Sequence, residues 1–159
     1  MSFVNIYFSL GSNLGDREAN ILEALRRMDE AFGCHYSALS RLIETKPMGF
    51  SGGKFLNAAV LYRVYFSPDF APLEVLRTVK SIEREMGRTD PPEYDGEGNR
   101  IYHSRIIDID ILFYGTERID IPELTIPHKG IADRPFVMIP LLEIAKTSLK
   151  RAFPEYFDG

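Results

Sequence analysis

The chain contains a single cysteine, Cys34, among 159 residues. It can form no intramolecular disulfide and no cysteine metal cluster, and a lone thiol fits a reducing compartment. Lysine and arginine total 19 against 23 aspartates and glutamates, a net charge of −4 with a pI near 5.4. The missing basic excess argues against a general nucleic-acid surface, though not against a local basic pocket for a nucleotide. No apolar stretch approaches the roughly 20 residues that cross a bilayer. The first residues, Met1 to Tyr7, show no basic region followed by an apolar run, so no export signal is read there and a cytoplasmic location is expected. Internal repeats and long linkers are missing too. So are the phosphate-loop ending Gly-Lys-Ser/Thr and the Gly-x-Gly-x-x-Gly fingerprint.

What is present suits one globular unit. Hydrophobic residues make up 45% and charged residues 26%, and a single domain over residues 1–159 is expected. A chain of this length buries about two-thirds of its unfolded surface, enough for a real core.

Residues 3–10 are apolar and β-prone and run into Gly11-Ser-Asn-Leu-Gly15, a strand followed by a turn. Asp16 can cap a helix whose apolar face is Ile21, Leu25, Met28 and Phe32, with Gly33 as the stop. A second strand is expected over residues 36–45, a Gly-rich loop over 46–53 and a third strand over 55–66. Pro72 suits the first turn of a second helix, with Val75, Val79, Ile82 and Met86 inward and Gly87 at its end. Residues 89–102 hold almost no aliphatics and read as a mobile loop, since connections beyond about 12 residues are usually lids or disordered. Residues 105–114 form the clearest strand. Residues 120–130 are turn-rich, 136–139 are short and apolar, 141–145 suggest a helical turn, and the tail after Lys146 has little pattern. The order strand, helix, strand, strand, helix, strand predicts an α+β ferredoxin-like sandwich: an antiparallel sheet with two main helices on one face. Such a fold licenses no function by itself.

Chemistry concentrates in three places. In Arg105-Ile-Ile-Asp108-Ile-Asp110-Ile-Leu-Phe-Tyr, alternation points Ile107, Ile109 and Ile111 one way and both aspartates the other. Two carboxylates roughly 6.6–6.8 Å apart along the strand can converge on a cation or bridge a metal pair; magnesium suits them, completing its shell with water and phosphate oxygens. The bland reading is a solvated strand face, but aspartate is disfavoured in strands and like charges repel. Arg88, Arg100, Arg105, Lys129 and Arg134 in neighbouring segments favour a metal–polyphosphate ligand. In the second place, Leu124-Thr-Ile-Pro-His128-Lys129 through Arg134-Pro-Phe136, the histidine is either a structural hydrogen-bonder or part of a phosphate site. In the third, Phe55 and Asn57 share a strand face. They could stack a flat heterocycle and read its edge, or be a core phenylalanine and a surface amide.

These segments together resemble the 6-hydroxymethyl-7,8-dihydropterin pyrophosphokinase family of folate biosynthesis, from about residue 4 to residue 144. The resemblance is carried by Leu10-Gly-Ser-Asn-Leu-Gly15, residues 45–49, Phe55-Leu-Asn-Ala-Ala59, Ile82-Glu83 with Gly87-Arg88, residues 105–112, Leu124-Thr-Ile-Pro-His128, and Arg134-Pro-Phe136 leading to Pro140-Leu-Leu-Glu-Ile144. It implies transfer of the terminal two phosphates of ATP, as one unit, to the pterin hydroxymethyl oxygen, leaving AMP. It further implies that Asp108 and Asp110 hold two magnesium ions and share the catalytic work with Arg88 and Arg105. Glu83, Arg88, Arg105, Ile111, Thr125, His128, Lys129 and Arg134 match positions around ATP. Thr45, Pro47, Met48, Gly49, Phe55, Asn57 and Phe136 match the pterin pocket. A free-standing monomer with ATP and the pterin as its partners, and neither nucleic acid nor membrane, is the corresponding expectation.

Departures fall upstream of the aspartates. Tyr102-His103-Ser104 stands where the family usually carries Trp-Gly-Pro, and Asp90 falls near a common arginine, a place Arg100 is the candidate to take. Lys129 replaces a frequent tyrosine and Glu123 a frequently basic residue. Two other readings remain beside the enzyme: a ferredoxin-like module that binds RNA or a small ligand, and an inactive relative that still binds pterin. RNA binding would call for exposed strand aromatics within a Lys/Arg-Gly-Phe pattern and a basic face, which the sequence lacks.

Overall fold

A computed structural model describes residues 2–45, 54–87, 93–94, 96–97, 100–101 and 106–157. β1 (Phe3–Ser12) leads to α1 (Arg17–Phe32). The Asp16 side chain accepts the Ala19 N–H at 3.1 Å, and Gly33 closes the helix at φ +70°, a left-handed conformation that glycine tolerates. The expected second strand is two short pieces, β2 (Ala38–Leu39) and β3 (Ile43–Thr45), both antiparallel to β4 (Phe55–Tyr65). A 3₁₀ turn at Pro68–Phe70 precedes α2 (Pro72–Glu85), with Pro72 in its first turn as expected.

Within the stretch read as a loop, β5 (Glu93–Tyr94) pairs with β6 (Arg100–Ile101), a small ladder the apolar pattern does not announce. β7 (Asp108–Tyr114) follows. The turn-rich segment is a hairpin of β8 (Ile119–Ile121) and β9 (Leu124–Ile126). The two short apolar stretches beyond it are one helix, α3 (Pro135–Ile144), which runs through Pro140. Proline there removes one helical N–H donor, but Val137, Pro140 and Leu141 are buried, and packing against the sheet outweighs that loss. The tail forms α4 (Thr147–Ala152) and α5 (Pro154–Phe157).

The main sheet runs β2-β4-β1-β7, with β3 also on β4, and all its pairings are antiparallel. This is the ferredoxin-like arrangement. Its first face carries Val4, Ile6, Phe8, Leu10, Val60, Tyr62, Val64, Ile107, Ile109 and Ile111 against the apolar stripes of α1 and α2. Phe8 stacks on Phe32 and Tyr62 meets both rings edge-on, with centroids 5.2–6.0 Å apart, and the Tyr62 hydroxyl donates to Asp29 Oδ1 at 2.5 Å.

The second face is covered as well, at one end. Tyr7, Ala59, Leu61, Leu112 and Phe113 pack under Val137 and Leu141 of α3, Leu149 of α4 and Phe153. The Phe113 and Phe153 rings lie 4.9 Å apart. A β-bulge makes this possible. Tyr7 pairs with Phe113 but Phe8 pairs with Ile111, so Leu112 is extra and the alternation of β7 slips by one. Leu112 and Phe113 therefore both join the second face.

Candidate active site

The end of the second face that the described residues leave uncovered is set by strand register. Gly11 on β1 stands opposite Asn57 on β4 and Asp108 on β7, and Ser9 stands opposite Ala59 and Asp110. Two parallel rows result: Asn57–Gly11–Asp108 and Ala59–Ser9–Asp110. With strands about 4.7–4.9 Å apart, Asn57 and Asp108 lie about 10 Å from each other across a floor with almost no side chain. A Cβ on Gly11 would meet Asn57 Oδ1 at 3.0 Å and the Phe55 ring at 3.4 Å. Glycine is thus favoured here by close approach, since any Cβ would make the Asn57 amide give way by a few tenths of an ångström. From sequence Gly11 reads as a turn residue, which misses this role, although the period-two run Tyr7, Ser9, Gly11 already carries it.

At the β4 end of the floor, Asn57 is 4% exposed. Its Nδ2 donates to Thr45 Oγ1 at 2.6 Å, which turns Oδ1 toward Gly11. Thr45 is paired in register with Phe55. α3 lies against β4 and β3 and brings Phe136, partly buried, to the same face.

At the β7 end, the Asp110 carboxyl is pushed up to about 8, by burial first and then by the charges of Asp108 and Glu83. Lys80 and Arg134 oppose the rise. His128 Nε2 is 3.8 Å from Asp110 Oδ1. The bulge aims this ring: the His128 N–H donates to the carbonyl of Leu112, the extra residue, at 3.1 Å. His128 Nδ1 accepts the Gly130 N–H at 3.1 Å, so in the neutral ring the proton sits on Nε2. Burial, helped by the charge of Arg134, lowers the His128 pKa and favours that neutral form. His128 is therefore an N–H donor facing the carboxylates rather than a cation. Arg134 flanks α3 at its start, and its guanidinium lies 5.9 Å from the Phe136 ring centroid and within 2.6 Å of where a Cβ on Gly130 would be.

The structure thus brings Thr45, Phe55, Asn57, Asp108, Asp110, His128, Arg134 and Phe136 to one face. Lys129 is exposed beside His128, and Thr125 is half-buried on β9 between the buried Leu124 and Ile126. Two of the positions that the resemblance puts around ATP are buried. The Ile111 side chain is 3% exposed in the core under α1 and α2, because alternation turns it away from the aspartates. Glu83 is 2% exposed and accepts the Ile109 N–H at 2.8 Å, tying α2 to β7. Pro47, Met48, Gly49, Arg88 and Arg105 lie outside the described residues.

Fold and register together place two carboxylates, with His128 beside them, at one end of a glycine floor and a buried amide at the other. Residues 7–146 match the family 7,8-dihydro-6-hydroxymethylpterin-pyrophosphokinase (HPPK), and the chain belongs to it. Its activity is pyrophosphoryl transfer in folate biosynthesis. A 2-amino-4-hydroxy-6-hydroxymethyldihydropteridine pyrophosphokinase from Porphyromonas gingivalis is 40% identical over 142 residues, covering 88% of this chain and 90% of the relative. The Bacillus subtilis enzyme of that name is 33% identical over 147 residues, covering 92% and 81%. A mitochondrial folate synthesis bifunctional protein of Pisum sativum is 41% identical over 145 residues, but this chain spans only 26% of it. Among solved structures, an HPPK-DHPS in complex with substrates shares the fold at a TM-score of 0.65 and 15% identity, over 98% of this chain and 44% of that one.

Proposed function

We propose that the chain moves the terminal two phosphates of ATP to the hydroxymethyl oxygen of 6-hydroxymethyl-7,8-dihydropterin, releasing AMP, with Asp108 and Asp110 as the ligands of two magnesium ions. The observation that carries this reading is the bare floor of Gly11 between Asn57 and Asp108. A flat bicyclic ring laid over it would have one edge at the Asn57 amide and its substituent reaching toward the aspartates.

The roles follow from chemistry. Phe55 and Phe136 supply aromatic faces for the pterin. Asn57 Oδ1 accepts from a ring N–H, and Thr45 holds that amide in orientation. Pro47, Met48 and Gly49 would complete the pocket by family analogy. The donor set of Asp108 and Asp110, on one face of β7, suits magnesium, which is commonly held by one or two carboxylates with water and phosphate oxygens. When bound, it would neutralise polyphosphate charge. Arg88, Arg105, Arg134 and Lys129 add positive charge around the phosphates, and the His128 Nε2–H donates to a phosphate oxygen. Ile111 and Thr125 belong to the nucleotide side by family analogy, Ile111 through the backbone it forms. Such a transfer needs alignment more than a strong base, so the absence of a dedicated base among these residues is no obstacle. The proposal keeps a cytoplasmic monomer; a net charge of −4 disfavours nucleic acid, and none of the described helices is long and apolar enough to cross a membrane.

The test is to incubate the protein with ATP, magnesium and the hydroxymethyl pterin and to identify the nucleotide product. AMP supports the proposal. ADP would indicate an ordinary kinase, and unchanged ATP beside measurable pterin binding would indicate an inactive relative. Omitting magnesium should stop AMP formation and its return should restore it.

A further inference from the structure

We propose that Glu83 is a positioning residue: it sets the aim of Asp108 and Asp110 by anchoring the peptide between them, and it does not touch the nucleotide. This deepens the reading of those aspartates as the metal pair and depends on it.

Among the described residues β7 is an edge strand of the main sheet, paired only with β1. Ile109, midway between the two aspartates, turns its N–H away from β1 and gives it to Glu83 Oε2 at 2.8 Å. The other oxygen, Oε1, faces Lys80 Nζ at 3.5 Å. With a side chain 2% exposed, Glu83 has little surface left for a ligand. Its location matters as much as its burial. An edge strand that must present two carboxylates side by side is free to twist or slip, and the strand already departs from regular pairing at Leu112. A bond from the rigid α2 to residue 109 removes that freedom at one of the two peptides that join the aspartates. Magnesium accepts oxygens only near 2.0–2.1 Å in near-octahedral geometry, so a misplacement of a few tenths of an ångström matters.

Two conservative variants separate anchoring from charge. Glu83→Gln keeps an acceptor oxygen of the same reach and loses the charge; the exposed end of Lys80 can swing to solvent. Glu83→Asp keeps the charge and falls short by about 1.5 Å, one carbon–carbon bond. The measurements are Mn2+ binding by electron paramagnetic resonance without nucleotide, kcat and KM for AMP formation, and amide exchange at Ile109. Glu83→Gln should stay within about threefold of wild type in Mn2+ affinity and kcat, with Ile109 protected. Glu83→Asp should lose about 10–100-fold in Mn2+ affinity, as removed outer-shell partners do, with kcat falling in step and the pterin KM unchanged. The proposal is overturned if Glu83→Asp binds Mn2+ like wild type, or if Glu83→Gln loses as much as Glu83→Asp. It is equally overturned if only the ATP KM rises. Should Glu83→Asp fail to fold, Glu83→Gln still decides: full Mn2+ affinity with Ile109 unprotected refutes the anchor. Asp110→Ala is the separate control. If it binds Mn2+ as wild type does, the metal reading fails, whatever Glu83 does.

Discussion

The two faces of the main sheet are built from the same strands and do opposite things. On the first, every second residue from Val4 to Leu10 is a large apolar group that meets α1 and α2, and the surface is closed along its length. The second face is graded. It begins closed at Tyr7, Leu61 and Phe113 under α3, α4 and Phe153, then thins to Ser9 and Ala59, and ends bare at Gly11 with Asp108 and Asn57 beside it. Side-chain size along one strand therefore separates a structural half-face from a binding half-face. The aspartates sit on the boundary: Asp110 is close enough to the packed half for burial to raise its pKa, and Asp108 opens on the floor.

The sharpest way to break this division is at the boundary. Asp108→Ala and Asp110→Ala should each lower AMP formation by about 10³-fold or more, since several kcal/mol of charge stabilisation are lost and each 1.36 kcal/mol is tenfold. Their near-ultraviolet circular dichroism should match wild type, because neither side chain belongs to a packed cluster. A variant that unfolds would show that the pair is structural.

Phe153→Ala addresses the closed half. Phe153 is fully buried and packs on Phe113 at 4.9 Å, and its truncation should cost about 3–5 kcal/mol of unfolding free energy in a urea titration. If the halves are separate, the pterin KM of the folded fraction stays within about twofold of wild type, well under the tenfold that 1.4 kcal/mol would give. A large rise in KM would mean that the C-terminal cap shapes the pocket.

Gly11→Val tests the bare end. Its Cβ would start 3.0 Å from Asn57 Oδ1, and its methyls would stand where the ring is proposed to lie. Crowding of this kind costs typically about 1–3 kcal/mol, so the pterin KM should rise about 10–100-fold while the ATP KM holds. Equal loss for both substrates would place the ring elsewhere.

Much of this division is legible in the sequence, and the reasons differ by residue. Alternation in 105–114 separates Ile107, Ile109 and Ile111 from the aspartates, because period two survives wherever one face is packed. The helices α1 and α2 are legible through their apolar stripes and caps: Asp16, Gly33 and Pro72 all act as their chemistry suggests. The second face is harder. Its cover comes from α3 and the tail, where Pro140 interrupts the helical signal and α4 and α5 are too short to show a period. The bulge at Leu112 breaks alternation within a run of apolar residues, so nothing in composition marks it. Gly11 reads as a turn because glycine is commoner there, and only its register against Asn57 shows the close approach. Glu83 reads as a ligand through family likeness, but its burial and its bond to Ile109 come from tertiary packing.

The smallest effect concerns the cost of keeping a carboxylate at that boundary. Burial, then the charges of Asp108 and Glu83, push the Asp110 carboxyl up from an ordinary 3.8 to about 8, so its folded-state pKa is raised. Between about pH 4 and pH 8 the native state keeps a proton that the unfolded chain has released, and stability falls as pH rises through that window. The amide that Asp110→Asn introduces does not titrate. The variant should therefore match wild type at about pH 4, gain on it as pH rises, and reach a constant advantage above about pH 8. A third of the Asp110 side chain remains in water and screens the penalty, so the plateau should be near 1 kcal/mol, a rise of about 2–4 °C in Tm. Added magnesium should erase the advantage, because it stabilises only the form that binds it. The measurement is a set of thermal melts of both proteins from about pH 4 to pH 9, with and without magnesium. An advantage present already at the acid end would trace to packing rather than charge, and would place Asp110 with the closed half of the face.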